Sequence, residues 1–168
     1  MIEYVPVIYE NPTVRDVISA WGKIPTILKD IILRFGIKQD SALEFGVECG
    51  YSTSAIANYF KKVRGVDKDC SCASLHAWPN VEIIESTFED YIKTDNNRYD
   101  LIHIDIIHDF LPTYLCGEWS VNHSDCVIFH DTLSNPEVFQ ACEALASNYG
   151  FEFYNYPNDF GLGILIKK

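Results

Sequence analysis

Short apolar runs alternate with helix-like segments along most of this chain. Runs such as LIHI and CVIF are continuously apolar, which is typical of strands buried on both faces of a parallel sheet. From residue 42 onward the pattern predicts strand–helix repeats that end in two strands joined by a turn. The predicted strands are Ala42–Phe45, Val63–Val66, Val81–Ile84, Asp100–Ile104, Cys126–Phe129, Phe151–Tyr156 and Gly163–Ile166, and the predicted helices between them are Thr53–Lys62, Cys70–Ala77, Phe88–Lys93, Phe110–Trp119 and Pro136–Tyr149.

Before the first strand, apolar residues at helical spacing predict two helices, Thr13–Trp21 and Thr26–Phe35, which Pro25 separates, or one helix kinked at that proline. The 168 residues, 48% of them hydrophobic, suffice for one buried core. We therefore predict one α/β domain, with a helical segment over residues 1–40 and a core over residues 41–168. The expected fold class is doubly wound and Rossmann-like: a seven-stranded, mostly parallel sheet with a carboxyl-terminal antiparallel hairpin.

The charge and the cysteines narrow the range of partners and compartments. A formal net charge of −11 opposes the basic surface that nucleic acid requires, and no segment is apolar enough for a membrane span. Cys49, Cys116, Cys126 and Cys142 lie in apolar or helical patterns, which predicts buried free thiols and a cytoplasmic protein. The group Cys70-x-Cys72 with His76 does not have the spacing of common zinc sites. The sequence leaves the oligomeric state open, a homodimer included.

The segment ALEFGVECGYST, residues 42–53, joins the first core strand to a helix. A phosphate-binding P-loop would need lysine after Gly50, and a dinucleotide loop would need glycine at Glu48, so neither pattern fits. An acidic residue, Asp67, ends the next strand about 20 residues after Gly46, the offset at which a carboxylate binds the hydroxyls of a ribose. The sequence therefore favours a nucleoside that carries no pyrophosphate.

Four motifs together resemble the class I S-adenosylmethionine-dependent methyltransferases, in their small O-methyltransferase-like subgroup. They are EFGVECGYST, RGVDKD, DLIHIDIIHDF and VIFHDT, and the terminal DFGLGILIKK resembles the last hairpin of that family. The resemblance covers residues 41–168 and implies S-adenosyl-L-methionine as cofactor. Carried over residue by residue, it predicts cofactor contacts from Glu44, Gly46, Gly50, Ser52, Asp67 and Ser86. Ser86 stands where the family more often has aspartate.

A second group of polar residues follows the fourth and fifth core strands. Asp105, His108, Asp109, His130 and Asp131 should meet at one edge of the sheet, where the methyl group would be presented. We predict Asp105, His108 and Asp131 as the catalytic residues. His108 is the expected general base, because imidazole titrates near neutral pH.

A metal-assisted reaction is the alternative mechanism. In catechol-type relatives, an aspartate after the fourth strand and an Asp-Asn pair after the fifth hold a divalent cation. Asp105 and Asp131 match that pattern, with His108 as a further ligand, whereas Thr132 replaces the asparagine. The resemblance thus implies a possible site for Mg²⁺ or Mn²⁺.

The sequence therefore predicts a methyltransferase that acts on a small-molecule acceptor, at oxygen. Two other functions remain open: a non-catalytic module that binds a nucleotide or S-adenosylmethionine, and an NAD-type oxidoreductase.

Overall fold

A central sheet of eight strands crosses the protein, and helices cover both of its faces. The computed structural model describes all 168 residues. The strands are β1 (Ile2–Glu3), β2 (Ser41–Phe45), β3 (Lys62–Asp67), β4 (Val81–Glu85), β5 (Leu101–Ile104), β6 (Cys126–His130), β7 (Phe151–Tyr156) and β8 (Leu162–Lys167), and the helices are α1 (Leu28–Phe35), α2 (Tyr51–Ala57), α3 (Phe88–Tyr91), α4 (Phe110–His123) and α5 (Pro136–Tyr149).

The strand order is β1-β7-β8-β6-β5-β2-β3-β4, and only β8 runs antiparallel to its neighbours. The doubly wound fold and the terminal hairpin are therefore confirmed. All seven predicted strands are present, and the bounds of β7 and α5 match the prediction. An eighth strand, the two-residue β1, pairs in parallel with the edge of β7 and was not predicted.

Strand side chains alternate between two buried layers. Ala42, Leu101 and Ile128 contact one cluster, which includes α1 and α2. Leu43 and Ile102 contact the other cluster, against α3, α4 and α5. Because both faces are covered, the strands of the sheet centre are mostly apolar, with Glu44 and His103 as buried exceptions. The hydrophobic pattern could therefore reveal these strands.

Two of the predicted helices are absent. Residues 13–21 form an extended segment with turns, and Cys70–Ala77 forms turns only. In the first segment the backbone is bonded to side chains of α2: the Arg15 amide donates to Ser54 Oγ at 2.8 Å, and the Thr13 carbonyl accepts from Asn58. Such tertiary bonds replace the helical ones. The second predicted helix, Thr26–Phe35, is confirmed as α1, which follows a 3₁₀ turn at Ile24–Ile27.

One cysteine prediction is wrong. Cys49 forms a disulfide with Cys72, with their Cα atoms 4.7 Å apart, so Cys72 is also no zinc ligand. Cys116, Cys126 and Cys142 are buried free thiols, as predicted. None of the helices combines the length and the apolar character that a bilayer span requires.

A buried carboxylate fastens the amino-terminal segment to α1. The Asp30 side chain is almost completely buried, accepts a hydrogen bond from the Tyr4 hydroxyl and pairs with Arg34 at 3.0 Å. The Arg34 guanidinium also lies 4.6 Å from the centre of the Tyr4 ring. Burial and the neighbouring carboxylate raise the pKa of Tyr4, which therefore remains a donor at neutral pH.

We expect Tyr4→Phe to lower the free energy of unfolding by about 1–3 kcal/mol, because the substitution removes a hydrogen bond to a buried charge. Urea denaturation measures the change. Tyr154→Phe is the matched control, because the Tyr154 hydroxyl donates only to Glu152 on its own strand, and this variant should lose less than about 1 kcal/mol. Equal losses in the two variants would contradict the importance of the buried carboxylate.

Candidate functional site

The candidate site lies where the strand order reverses. The chain builds β2, β3 and β4 outward and then returns to place β5 on the other side of β2. Open α/β sheets bind ligands in the crevice at this point, outside the carboxyl ends of the strands. Gly46 follows β2 there with φ +90°, and a Cβ built on it would lie 1.7 Å from the carbonyl oxygen of Asp105. Only glycine fits between the two strand ends.

Asp67 organises the loop that follows Gly46. One of its carboxylate oxygens accepts hydrogen bonds from the amides of Val47 and Glu48, both at 2.8 Å. The other oxygen accepts from the amide of Asp69 at 3.1 Å. The predicted ribose acceptor therefore lies at the mouth of the crevice and also holds the backbone of the loop.

A cavity of about 400 Å³ opens at the carboxyl ends of β2, β3, β4 and β5. Three of the predicted cofactor residues line it: Gly46, Asp67 and Ser86. Apolar side chains form other parts of the wall, among them Val66, Phe88 and Ile106, and the lining continues to Asp105. An apolar wall beside a carboxylate suits the flat base and the hydroxyls of a nucleoside. A larger cleft of about 720 Å³ lies at the amino ends of β2, β3 and β4, on the side of the sheet away from the crevice.

Glu44 lies beneath the loop, not in the cavity. Its side chain is fully buried, and its two oxygens are bonded to His103 Nδ1, at 2.8 Å, and to the Thr53 hydroxyl. The Trp21 indole N–H donates to His103 Nε2 at 3.2 Å, so this nitrogen accepts and Nδ1 carries the proton. The Glu44 side chain therefore supports the loop from below in this structure, and its role as a cofactor contact remains a prediction.

Gly50 and Ser52 lie at the amino end of α2. Gly50 has φ +78° and is the residue before the first helical turn, with the Leu75 side chain packed closely against it. Ser52 is buried in that turn, and neither residue lines the cavity. Both belong to the loop that faces the crevice, and their roles as direct contacts remain a prediction. Ser86 is half-buried, and its hydroxyl donates to the Thr87 carbonyl.

The structure brings together the three residues predicted for catalysis. His108 Nε2 lies 2.9 Å from Asp131 Oδ2 and 3.5 Å from Asp105 Oδ1. One potential ligand atom from each of the three residues falls within 4.8 Å of the others. Asp109 does not join them; it is exposed and precedes the first turn of α4.

The sequence placed His130 in this polar group but did not include it among the catalytic residues. It is buried, and its Nδ1 lies 3.2 Å from one carboxylate oxygen of Asp105 and from one of Asp131. These contacts are close, but their angles fall outside hydrogen-bond geometry, so both ring nitrogens of His130 and Nε2 of His108 are buried without a hydrogen bond. The adjacency of His130 to Asp131 in the sequence was the available signal.

Opposite charges at this site shift the pKa values in opposite directions. Burial alone would raise the pKa of Asp105, but the contacts with His108 and His130 outweigh it and hold that pKa well below its usual range. Burial would lower the pKa of His130, yet the two carboxylates raise it to about 9. Contact with Asp105, outweighing burial, raises the pKa of His108 as well.

The donor set fits a divalent cation in its chemistry. Two carboxylates and an imidazole converge, and buried nitrogens lack hydrogen bonds that a reorganised site could satisfy. Thr132, which replaces the asparagine of catechol-type relatives, does not take part, because its hydroxyl donates to Asn155 at 2.6 Å. Any cation would therefore depend on His108 for its third protein ligand.

No protein-family model and no curated protein matches the sequence. Solved structures do match it. A protein assigned as a caffeoyl-CoA O-methyltransferase from Staphylococcus aureus superposes with a TM-score of 0.71 over 92% of this chain and 86% of its own, at 20% identity. This chain has the methyltransferase fold.

Two further matching structures contain SAH, the demethylated form of S-adenosylmethionine. An O-methyltransferase from Bacillus cereus in complex with SAH gives a TM-score of 0.62 at 18% identity, over 91% of this chain and 83% of its own. An SAH-bound methyltransferase from Podospora anserina gives a TM-score of 0.60 at 16% identity, over 82% of this chain and 76% of its own. At these identities the likeness concerns the fold alone.

We expect the metal-free protein, prepared with EDTA, to lose stability as the pH rises from about 6.5 to 9. The pKa of His130 is raised in the folded state, so its contribution is complete below the unfolded value near 6.5 and disappears as the proton leaves near 9. The loss should reach up to about 3 kcal/mol, which urea denaturation at each pH measures.

His130→Asn should remove the part of this pH dependence that comes from His130 and leave the part from His108, whose pKa is also raised, whereas a change at the exposed His76, such as His76→Gln, should leave all of it intact. A free energy of unfolding that stays constant over this pH range in the unaltered protein would contradict the charged pairing of His130.

Proposed function

We propose that the protein is an S-adenosylmethionine-dependent methyltransferase that acts at an oxygen atom of a small-molecule acceptor. One observation carries the proposal: the cavity that contains Gly46 and Asp67 continues without a break to Asp105, the first residue of the acidic cluster. A cofactor with its ribose at Asp67 could thus present its methyl group beside that cluster.

The loop chemistry supports this cofactor over a dinucleotide. The exposed carboxylate of Glu48 stands at the tip of the loop, where it would repel a pyrophosphate. The amides of Val47 and Glu48 are already bonded to Asp67 and are not free to cradle phosphates. A nucleoside joined to an amino acid meets neither obstacle.

The surroundings of the cluster favour a small acceptor. Asp105 and Asp131 lie at the edge of a protein with a net charge of −11, so a nucleic acid backbone would meet strong repulsion. Two exposed apolar side chains, Ile107 and Leu133, occur in the same loops, and a third, Phe160, occurs in the turn between β7 and β8. An uncharged hydroxyl compound is compatible with both features.

The transfer is a displacement at the sulfonium carbon, for which the acceptor oxygen must be aligned and lose its proton. In the form that we propose, Asp105, Asp131 and His108 hold a divalent cation, Mg²⁺ or Mn²⁺. That cation would lower the pKa of the acceptor hydroxyl. The buried His130 keeps the two carboxylates side by side. In the metal-free alternative, His108 itself accepts the proton.

Calorimetry should show binding of S-adenosylmethionine or SAH, and Asp67→Asn should weaken it by at least about tenfold, since a charged acceptor for two hydroxyls is lost. The control is Asp69→Asn, because the side chain of Asp69 is exposed and its carboxylate is bonded only to Ser71. Its affinity should change less than about twofold. Affinity for NAD equal to that for S-adenosylmethionine would overturn the assignment.

Manganese binding tests the cation site without any knowledge of the acceptor. Electron paramagnetic resonance should detect Mn²⁺ bound to the unaltered protein, and Asp131→Asn should weaken that binding by about tenfold or more while SAH affinity stays nearly constant. Asp109→Asn, a change of the neighbouring exposed aspartate, should alter neither quantity.

If Mn²⁺ does not bind at millimolar concentration, the cation form of the mechanism is wrong. The metal-free form then predicts that His108→Ala lowers turnover by about 10²–10⁴-fold with an acceptor found by product profiling, and that EDTA has no effect.

A non-catalytic cofactor-binding protein is the second candidate function. The observation in its favour is the ion pairing of His108 with both aspartates, which occupies the groups that catalysis would need. SAH affinity without methyl transfer to a broad panel of hydroxyl, amine and thiol acceptors would favour this candidate.

A further inference from the structure

The disulfide between Cys49 and Cys72 joins the two loops on either side of Asp67. Cys49 lies between Gly46 and Gly50 in the loop after β2, and Cys72 lies in the irregular segment after β3. The bond therefore crosses from the loop that faces the crevice to the segment that follows the ribose acceptor.

Few other contacts hold that second segment. Within residues 70–78 the backbone hydrogen bonds are local turns, such as the one from the Ala73 amide to the Cys70 carbonyl. Its ties to the rest of the protein are the disulfide, the packing of Leu75 on Gly50 and the partial burial of Trp78. Arg15 Nη1 also donates to the Cys49 and Cys72 carbonyls, and the Cys70 thiol donates to the Asp67 carbonyl at 3.6 Å. Loss of the disulfide would free this segment more than any other part of the fold.

The pair is open to reductant, whereas most of the other thiols are not. Cys72 is exposed and Cys49 half-buried. Burial raises the pKa values of Cys116, Cys126 and Cys142, which keeps them as unreactive thiols within the core. A disulfide in a reducing compartment is usually catalytic or redox-sensing, and one in an oxidising compartment persists.

We propose that Cys49–Cys72 is a redox-modification site that controls cofactor affinity. Reduction by a dithiol breaks the S–S bond: two electrons and two protons pass to the protein, two thiols form, and the dithiol closes to its own disulfide. The bonded form keeps the crevice loop and the segment after Asp67 in one arrangement. The reduced form populates that arrangement only in part, and the apparent affinity falls by the same fraction.

Calorimetry with SAH on the protein before and after treatment with dithiothreitol tests this inference, which rests on the proposed function. We expect binding about tenfold weaker after reduction, as for a binding-competent arrangement populated at about 10%. Alkylation of the unfolded protein should count four free thiols before treatment and six after it.

Two variants separate the disulfide from other effects of the reductant. The double variant Cys49→Ser/Cys72→Ser should bind SAH as weakly as the reduced protein and should not respond to dithiothreitol. Cys70→Ser, a change two residues away that leaves the disulfide in place, should retain the full response. If the double variant does not fold, the comparison of oxidised and reduced unaltered protein decides alone.

The outcomes distinguish this proposal from the proposed function. Equal SAH affinity in both redox forms, or six free thiols before reduction, would overturn the redox site and leave the methyltransferase assignment intact. Absence of SAH binding in both forms would overturn the two together.

Discussion

The close contact between the ends of β2 and β5 determines the rest of the site. The Gly46 backbone lies so near the Asp105 carbonyl that no side chain fits between them. This contact directs the loop after β2 over Asp67 and aims Asp105 at the same crevice. The cavity and the acidic cluster are therefore two parts of one arrangement, because a single backbone approach positions both. Asp131 joins them from the adjacent strand, since β6 pairs with β5.

A series of buried, hydrogen-bonded side chains lies beneath the loop after β2 and supports it. Glu44 and His103 face each other across β2 and β5, and Thr53 and Trp21 complete their hydrogen bonds. A buried polar group destabilises the fold unless it has a hydrogen-bond partner, and each of these side chains has one. Their hydrogen bonds tie α2 and the amino-terminal segment to the centre of the sheet. Residues outside the cofactor motifs thus contribute to the shape of the crevice.

The strands and the site edge could be predicted because they follow from local pattern and topology. Buried parallel strands are mostly apolar, which makes them visible in the sequence. Their carboxyl ends lie on the same side of the sheet, so Asp105, His108 and Asp131 were expected close together. Residues 13–21 could not be predicted, because their backbone is bonded to Ser54 and Asn58, which are distant in sequence. The Cys49–Cys72 disulfide and the hydrogen-bond partners of Glu44 could not be predicted for the same reason. The hydrophobic pattern shows which residues are buried, but not which of the other side chains contact one another.

The pairing of β1 with β7 has a consequence for the order of folding. Residues 2 and 3 lie beside residues 154 and 155, and the Tyr4 amide donates to the Asn155 carbonyl at 2.7 Å. During synthesis this first segment leaves the ribosome long before its partner strand exists. Its backbone has no partner strand until the final hairpin forms, and contacts of such long sequence separation form slowly. This edge of the sheet is therefore completed only after the last two strands have been synthesised.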